Sequence, residues 1–239
     1  MNKTSAIGTR KESSLHRSLK FRYSGGGQTE VLIGDYVCDA KTSKGEIIEV
    51  QTGSLGPLKK KAKFLTQTGK LNIIHPIINQ KQIELYDVSG QLLHRRKSPK
   101  KGNVWDLFNA LIHAPELPLH KNLNIELALI DVVEKRIDDG AGSWRRKGVS
   151  INDRFLGAWH NSIILKDKRD YYQFIPFEEN ECFTARNLAE KVGIATTLAQ
   201  KTLYVLKKMG LIERIGKLGN AYEYMKNPLR KIKAGVCHE

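Results

Sequence analysis

The amino-acid sequence predicts an α/β protein, with a mixed sheet flanked by helices in residues 1–177 and a smaller unit in residues 178–239. Runs rich in β-branched and aromatic residues alternate with helical segments that begin at capping residues and end at glycines. After about Phe177 the pattern changes to two compact helices followed by a hairpin, which indicates a second domain. We find no internal repeat and no low-complexity tract.

The charge of the chain predicts a polyanionic partner. The formal charge is +15, from 40 Lys and Arg against 25 Asp and Glu, and folding does not require such an excess. A solvated basic surface that aids solubility is the alternative. No apolar run reaches the length of a membrane span, and the polar N-terminus lacks a signal peptide, so we expect a cytoplasmic protein with no membrane partner. Cys38, Cys182 and Cys237 have no zinc-site spacing and are expected to be reduced.

The first predicted element is a surface helix over residues 9–23. Leu15 and Leu19 lie four residues apart among polar residues, which fits one buried stripe. Three glycines at residues 25–27 are expected to end the helix.

A hairpin follows the first helix. Residues 29–40 and 46–52 are rich in Val, Ile and Tyr and flank a turn at residues 42–45. Because side chains alternate along a strand, Glu49 and Gln51 point to the same face of the second strand.

The later elements alternate in kind. They are a helix at 54–68 that Ser54 caps, strands at 71–78, 82–88 and 91–94, a basic loop at 95–102, a helix at 103–113, a buried strand at 124–133, a glycine-rich loop at 138–148, and a short helix at 152–159. In the first of these helices, Leu58, Ala62 and Leu65 form the expected buried stripe.

The C-terminal region has helix-turn-helix spacing. Thr184 can cap the first helix, Gly193 makes the turn, and Thr196 or Thr197 caps the second helix. The polar face of the second helix suits phosphates and base edges in a major groove, and it consists of Thr197, Gln200, Lys201, Tyr204 and Lys208. Two short strands with a basic tip at Lys217 complete the region.

This stretch resembles winged-helix DNA-binding domains. The residues that carry the resemblance are Phe183-Thr184-Ala185 before the first helix and Leu206 to Ile212, which join the second helix to the hairpin. The resemblance implies that the second helix reads a major groove and that Lys217 at the wing tip touches the DNA backbone. Winged helices also serve in protein contacts, but the charge of +15 favours DNA.

Two carboxylates are predicted to face each other in the N-terminal hairpin. A register centred on Lys44 puts Asp39 directly opposite Glu49. Opposed carboxylates without a base repel each other, so a hard divalent cation, Mg²⁺, is expected between them, together with water and a substrate phosphate oxygen. Alternatively, both are surface carboxylates of an exposed hairpin face.

The arrangement resembles the PD-(D/E)XK nuclease superfamily. There, an acidic residue, a turn and an acid-x-Lys strand follow one another, as do Asp39, the turn and Glu49-x-Gln51 here. An initial helix with a glutamate, here Glu12, and a helix after the acid-x-Lys strand also fit. The resemblance covers about residues 5–90 and implies a restriction-endonuclease-like fold. Three other segments, at residues 48–53, 95–102 and 142–148, look more loosely like those of uncharacterised prokaryotic proteins of this type.

Gln51 departs from the pattern of that superfamily, which has lysine at this position. An amide can orient water or ligate a metal, but it supplies no positive charge. Lys61 borders the buried stripe of the following helix, whereas Lys60 and Lys63 should point to solvent. We therefore expect Lys61 to supply the missing cation.

Two further segments are candidates for nucleic-acid contact. The first contains Arg95, Arg96, Lys97, Lys100 and Lys101 and could follow a phosphate backbone, although a solvated loop explains it nearly as well. The second contains Trp144, Arg145, Arg146 and Lys147 between glycines. Its ring could stack on a base or could anchor the loop in the core. His75 lies in an apolar run and is expected to be a core residue.

Together these features predict a Mg²⁺-dependent endonuclease that acts on double-stranded DNA. Asp39 and Glu49 would hold the metal, Gln51 and Lys61 would arrange the water, and Glu12 would act through the cation or a bridging water. The alternative is a non-catalytic DNA-binding regulator that keeps the nuclease fold as a scaffold. RNA is a poorer substrate because its A-form major groove is inaccessible. Duplex cutting would favour a homodimer with two sites.

Overall fold

The structure is a computed structural model that describes residues 12–228. It is a mixed α/β protein whose seven-stranded mixed sheet is flanked by helices. The elements are α1 (Ser14–Ser24), β1 (Gln28–Ile33), β2 (Tyr36–Lys41), β3 (Ile47–Val50), α2 (Lys59–Thr68), β4 (Leu71–Tyr86), β5 (Leu92–Lys97), α3 (Leu107–Leu111), β6 (Leu123–Asp138), β7 (Val149–Leu165), α4 (Ala185–Val192), α5 (Thr196–Lys208), β8 (Ile212–Leu218) and β9 (Ala221–Lys226). In residues 12–228, no helix is long and apolar enough to cross a membrane.

The strand order in the sheet is β1-β2-β3-β4-β6-β7, and β5 pairs with β4. The pairs β3–β4 and β4–β6 are parallel, whereas the other neighbours are antiparallel. β3 pairs with the start of β4 at Leu71–Ile74, and β5 pairs with its end at Gln82–Tyr86. The long strands β4, β6 and β7 therefore extend the sheet past the end of β3, where the carboxylates of the hairpin lie.

Three helix starts differ from the sequence prediction, in which the first helix begins at residue 9. α1 begins after Ser13, whose side chain accepts a hydrogen bond from the amide of His16, and ends at Gly25 in the left-handed region, as expected. Ser54 does not cap α2, because a short 3-10 turn at Gly56–Leu58 precedes that helix. α5 begins after Ala195, which has no capping side chain, so the capping role predicted for Thr196 or Thr197 is wrong.

Residues 29–40 form two strands instead of one. The chain reverses at Gly34, where φ is +57°. A Cβ atom at this position would lie 2.5 Å from the ring of Phe64, so both the turn and the contact with α2 require glycine. The tight approach fixes the outer hairpin β1–β2 against the helix that follows β3.

Three predictions for the middle of the chain are corrected. Residues 152–159 are not a helix, because they lie within the 17-residue strand β7 and pair antiparallel with β6. Residues 71–86 form one 16-residue strand with a bulge between Ile78 and Gln80, where two strands were expected. Arg95 and Arg96 belong to strand β5, so the loop begins at Ser98. In each case, pairing with a neighbouring strand of the sheet overrides the local sequence pattern.

The core lies on both faces of the sheet. On one face, α1 packs through Leu15 and Leu19. On the other face, one continuous apolar cluster joins α2, α3 and the C-terminal helices, so Phe108 and Leu203 share a core across the predicted domain boundary at residue 177. His75 is buried, as expected. Cys38 and Cys182 are free thiols, whereas Cys237 lies outside the described residues, as do residues 9–11 of the first predicted helix.

Candidate functional site

The hairpin register brings Asp39 opposite Glu49, as the sequence predicts. Ala40 pairs with Ile48 and Lys41 with Ile47, and the same register one step further pairs the two acids. At this step, hydrogen bonds from main-chain amides to the two carboxylates take the place of the main-chain hydrogen bonds between the strands. The amide of Val50 donates to Oδ2 of Asp39 at 2.7 Å, and the amide of Asp39 donates to Oε1 of Glu49 at 3.3 Å. Both carboxylates are thus fixed where β2 and β3 part.

Asp39 lies toward α1, where it meets a histidine that the sequence analysis missed. His16 Nε2 is 3.1 Å from Oδ1 of Asp39. Burial alone would raise the pKa of Asp39, but the contact with His16 and the Val50 amide more than offset it, so that the pKa is lowered. Asp39 is therefore poised to remain a carboxylate.

Glu49 lies toward α2 and is almost completely buried. Lys61 Nζ is 2.5 Å from Oε1 of Glu49 and also donates to the carbonyl of Val37 at 2.7 Å. Burial raises the pKa of Glu49, the nearby Asp39 adds to this rise, and Lys61 opposes it. Lys60 and Lys63 are exposed, as expected, so Lys61 is the lysine of α2 that reaches the acids.

Glu12 lies just before α1 and not within it, so its predicted place on the initial helix is wrong, but it joins the cluster through residues of that helix. Its carboxylate is 2.9 Å from Lys20 Nζ and 3.7 Å from His16 Nε2, and Lys20 also pairs with Glu30 at 3.0 Å. His16 and Lys20 are one helical turn apart, directly after Leu15 and Leu19. Spacing alone could have placed them beside the buried stripe, but no residue pattern marked them as functional.

Gln51 does not point at the carboxylates. Its side-chain amide donates to the carbonyl of Ser54 at 2.6 Å, and its main-chain carbonyl lies 2.7 Å from Nδ1 of His75. The structure thus brings Asp39, Glu49, Lys61 and Glu12 together, while the amide of Gln51 engages the segment that follows β3.

A metal ion at this site would have two protein carboxylates as ligands. Residues 12–228 contain no group of three or more His, Cys, Asp or Glu side chains arranged to hold a metal. Mg²⁺ commonly accepts one or two carboxylates and takes its remaining ligands from water and substrate phosphate. The hard oxygen donors of Asp39 and Glu49 fit that preference.

The predicted basic segments are exposed, but some of their cations already have partners within the protein. Arg95 forms an ion pair with Glu84 at 2.8 Å, whereas Arg96, Lys100 and Lys101 are exposed. Trp144 is 83% exposed, so the alternative in which it anchors the loop in the core is wrong.

Around that ring, the cations differ in their contacts. The guanidinium of Arg145 lies 5.5 Å from the centre of the Trp144 ring. Arg146 donates to the carbonyl of Val149 at 3.1 Å, and Lys147 takes a left-handed backbone conformation with φ +51°. The loop therefore presents an aromatic face backed by charge.

All five predicted residues on the polar face of α5 are exposed, namely Thr197, Gln200, Lys201, Tyr204 and Lys208. Lys201 Nζ nevertheless donates to Oδ1 of Asn109 at 2.8 Å, which ties α5 to α3. In the hairpin, Lys217 lies 5.2 Å from the ring of Tyr222, and Arg214 lies 4.4 Å from the same ring. Sequence reasoning missed Arg214 and Tyr222, which become neighbours only through the register of β8 and β9.

Comparison with known proteins identifies the family of the chain but no activity. A protein of Treponema pallidum (strain Nichols), described only as uncharacterized, is 30% identical over 224 residues, which are 93% of this chain and 88% of that one. No solved structure matches. The model of the domain of unknown function DUF8091 matches residues 13–166, a range that includes Asp39, Glu49, Lys61 and the Trp144 loop. The chain therefore belongs to the DUF8091 family.

Proposed function

We propose that the protein is a metal-dependent DNA endonuclease of the PD-(D/E)XK type. The observation that carries this proposal is the convergence of Asp39 and Glu49. Lys61 pairs with Glu49 and so supplies the positive charge that Gln51, which stands in place of the superfamily's lysine, cannot supply. The order of elements supports it, because a helix, a hairpin and a second helix surround the two acids. A restriction-endonuclease-like core for this part of the sheet belongs to the same proposal.

Each side chain of the cluster has a distinct part in this reaction. Asp39 and Glu49 would hold Mg²⁺, which when bound lowers the pKa of an attacking water and neutralises charge on the phosphate. Lys61 holds Glu49 in place and supplies positive charge near the reacting phosphate. His16 orients Asp39, and Glu12 acts on the site through His16 or a bridging water. Gln51 would contribute only if its side chain left Ser54.

The C-terminal unit would position the duplex as a winged helix. Phe183 and Tyr224 exchange two main-chain hydrogen bonds, at 2.9 and 2.8 Å, so that a short bridge fixes the chain before α4 to strand β9. Such a bridge stabilises the hairpin next to α5, whose exposed face would enter a major groove. Lys217 would touch the backbone, and the Trp144 loop would add a contact on the other part of the molecule.

Incubation of the protein with plasmid and linear DNA in Mg²⁺ or Mn²⁺ tests this proposal. We expect metal-dependent cleavage that Asp39→Asn abolishes. Asp35→Asn is the matched control, because it makes the same change of charge at an exposed turn of the neighbouring hairpin. Intact DNA with every divalent ion, under conditions in which the protein binds that DNA, would overturn the nuclease. Cutting of both strands would favour a homodimer.

One observation favours a second candidate, a DNA-binding regulator with a vestigial nuclease site. Protein groups already contact both carboxylates, His16 and Val50 at Asp39 and Lys61 at Glu49. A site of this kind can be stable without metal. The regulator predicts tight duplex binding, no effect of divalent ions on melting, and an Asp39→Asn variant that binds and regulates like the wild type.

A further inference from the structure

A cavity of about 430 Å³ lies beside the end of β3, next to the candidate metal site. Its walls come from residues 52–54, which follow Gln51, from β4 at residues 75–78 and Lys81, and from Asp106, Asn109 and Ala110 in and just before α3; Lys100 and Gly102 also line it. Ligand sites of small molecules commonly have volumes of about 300–1,000 Å³. The cavity is therefore large enough for a nucleobase with its sugar.

His75 gives the cavity a fixed hydrogen-bond acceptor. The side chain is 6% exposed, and its Nδ1 lies 2.7 Å from the carbonyl oxygen of Gln51. A carbonyl oxygen only accepts, so Nδ1 carries the hydrogen, and the neutral ring then presents Nε2 as an acceptor. Burial lowers the pKa of His75, which favours this neutral form. Among the residues that the structure describes, no group donates to Nε2.

Acceptors and cations both line the cavity: the acceptors are His75 and Asp106, and the cations are Lys81, which donates to Glu134 at 3.4 Å, and Lys100. Asp106 contributes a half-buried carboxylate that accepts from the amide of Asn103 and from the side chain of Asn109, with lone pairs to spare. At the mouth, Ser54 and Lys100 are exposed. The hydroxyl of Ser54 accepts from the amide of Gly56 and so can still donate its own hydrogen. Between these groups, the segment from Pro76 to Ile78 forms an apolar wall.

A ligand that fits this lining must donate hydrogen bonds to His75 and Asp106 at one end and carry negative charge toward Lys100 at the other. A nucleobase with an exocyclic amino group offers two N–H donors on one nitrogen, a planar ring for the apolar wall, and a phosphate for Lys100. Thymine fits less well, because its single N–H is flanked by two carbonyl oxygens that Asp106 would repel. Phosphate alone would satisfy the lysines but would leave His75 Nε2 and the remaining lone pairs of Asp106 without donors.

We propose that this cavity binds a nucleotide whose base carries an amino group, with the amino group at His75 Nε2 and the phosphate at Lys100. The nucleotide comes either from solution or from a DNA strand by extrusion from the base stack. The proposal goes beyond cleavage and does not depend on metal chemistry, so its tests are run with EDTA. A failure of the nuclease proposal would leave it standing.

Isothermal titration calorimetry of the full chain with adenosine, cytidine and thymidine monophosphates tests the inner contact. We expect the two amino-bearing nucleotides to bind at least about tenfold tighter than thymidine monophosphate, since one lost hydrogen bond in a desolvated site costs about 1–3 kcal/mol. In His75→Asn, the side-chain amide can still donate to Gln51 but nothing replaces Nε2. This variant should bind all three nucleotides with similar weak affinity.

Two exposed lysines of the basic loop test the outer contact without risk to folding. Lys100→Ala should weaken adenosine monophosphate several-fold and leave adenosine unchanged. Lys101→Ala is the matched control, because Lys101 is also exposed but does not line the cavity, and it should change neither affinity. Equal losses in the two variants would mean non-specific attraction by the basic loop and would overturn the proposal.

DNA that contains 2-aminopurine distinguishes the two sources. Extrusion of this fluorescent amino-bearing base should raise its emission when the wild type binds, and His75→Asn should abolish the rise. Binding of free nucleotides without such a rise would identify the free nucleotide as the ligand. The absence of nucleotide binding at millimolar concentration, together with no rise in DNA that the protein binds, would overturn the proposal.

Discussion

The carboxylate cluster between α1 and α2 and the basic surfaces of the long strands and C-terminal helices use charge in opposite ways. In the cluster, Glu49 and Lys20 are buried, and each has an oppositely charged partner within 3.0 Å. On the basic surfaces, Trp144 and Lys208 are exposed. Arg145 lies 5.5 Å from the centre of the Trp144 ring, and Lys208 lies 6.0 Å from the centre of the Tyr204 ring. Burial holds the charged side chains of the cluster in fixed positions, because a buried charge that loses its partner is costly. The hydrated side chains of the surfaces can change position at little cost in free energy.

The contrast suggests a division of labour. A group whose position must be right to within a fraction of an ångström belongs in the cluster, where removal of one partner leaves a buried charge. A group that only has to attract or stack belongs on the surface. Substitutions in the cluster should therefore change reaction and stability together, and substitutions on the surface should change affinity alone.

The largest expected effect is that of Lys61→Met. Removal of the positive charge beside Glu49 should reduce the cleavage rate by about 100-fold or more, a cost typical of one electrostatic contact in a reacting site. It should also lower the free energy of unfolding by about 3 kcal/mol, because Glu49 loses its partner in a buried pair. Single-turnover cleavage and urea unfolding measure the two effects.

Lys63→Met is the control, since this residue of the same helix is exposed. The double variant Lys61→Met with Gln51→Lys separates chemistry from folding, because a lysine just after β3 would restore the positive charge once its side chain turns from Ser54 to the acids. Cleavage by Lys61→Met at the rate of Lys63→Met would show that the cluster does not act as proposed.

Trp144→Ala should give the next largest effect, now on affinity. Loss of one stacked base contact costs about 1–3 kcal/mol, or roughly 10-fold or more in the dissociation constant. The free energy of unfolding should change by less than about 0.5 kcal/mol, because the side chain is exposed. Trp159→Ala is the contrasting variant, since that ring lies under Arg22 and packs on the core. Binding that Trp144→Ala leaves unaltered would remove the loop from the interface.

Lys208→Ala should have a smaller effect, best seen in the salt dependence of duplex binding. The slope of log affinity against log salt should flatten by about one unit for each phosphate contact that is lost. Lys201→Ala should flatten it too, but it also breaks the hydrogen bond to Asn109. Lys207→Ala, an exposed neighbour off the predicted face, provides the comparison. Equal slopes for Lys207→Ala and Lys208→Ala would argue against docking through this face.

The smallest expected effect is the pH dependence of stability. The folded pKa of Asp39 is lowered from 3.8, so this group stabilises the protein above that value, and the stabilisation is lost as pH falls through the lowered pKa. The folded pKa of Glu49 is raised from 4.5, so its ionisation costs stability as pH rises through the raised value.

The difference in unfolding free energy between wild type and Asp39→Asn should therefore be largest at pH values above the ordinary pKa of an aspartate, and it should disappear in strong acid. Urea unfolding across that range measures it. A constant difference at all pH values would mean that the Asp39 carboxylate has no net favourable partner.

Local features of the site were predictable, and features made by tertiary contacts were not. The pairing of Asp39 with Glu49 and the position of Lys61 follow from strand alternation and helical period, which depend only on nearby residues. The contact of His16 with Asp39 joins residues 23 positions apart and required the packing of α1. For the same reason, β7 was mistaken in part for a helix, since its pairing with β6 overrides the local pattern.

The central claim is that Asp39 and Glu49 share a divalent cation, and thermal melting with and without metal tests it most directly. A ligand that binds only the folded state raises its stability, by about 2.7 kcal/mol at one hundred times its dissociation constant. Mg²⁺ or Mn²⁺ should therefore raise the melting temperature of the wild type and of Asp35→Asn but not that of Asp39→Asn. An identical response in all three proteins, or none in the wild type, would contradict the claim.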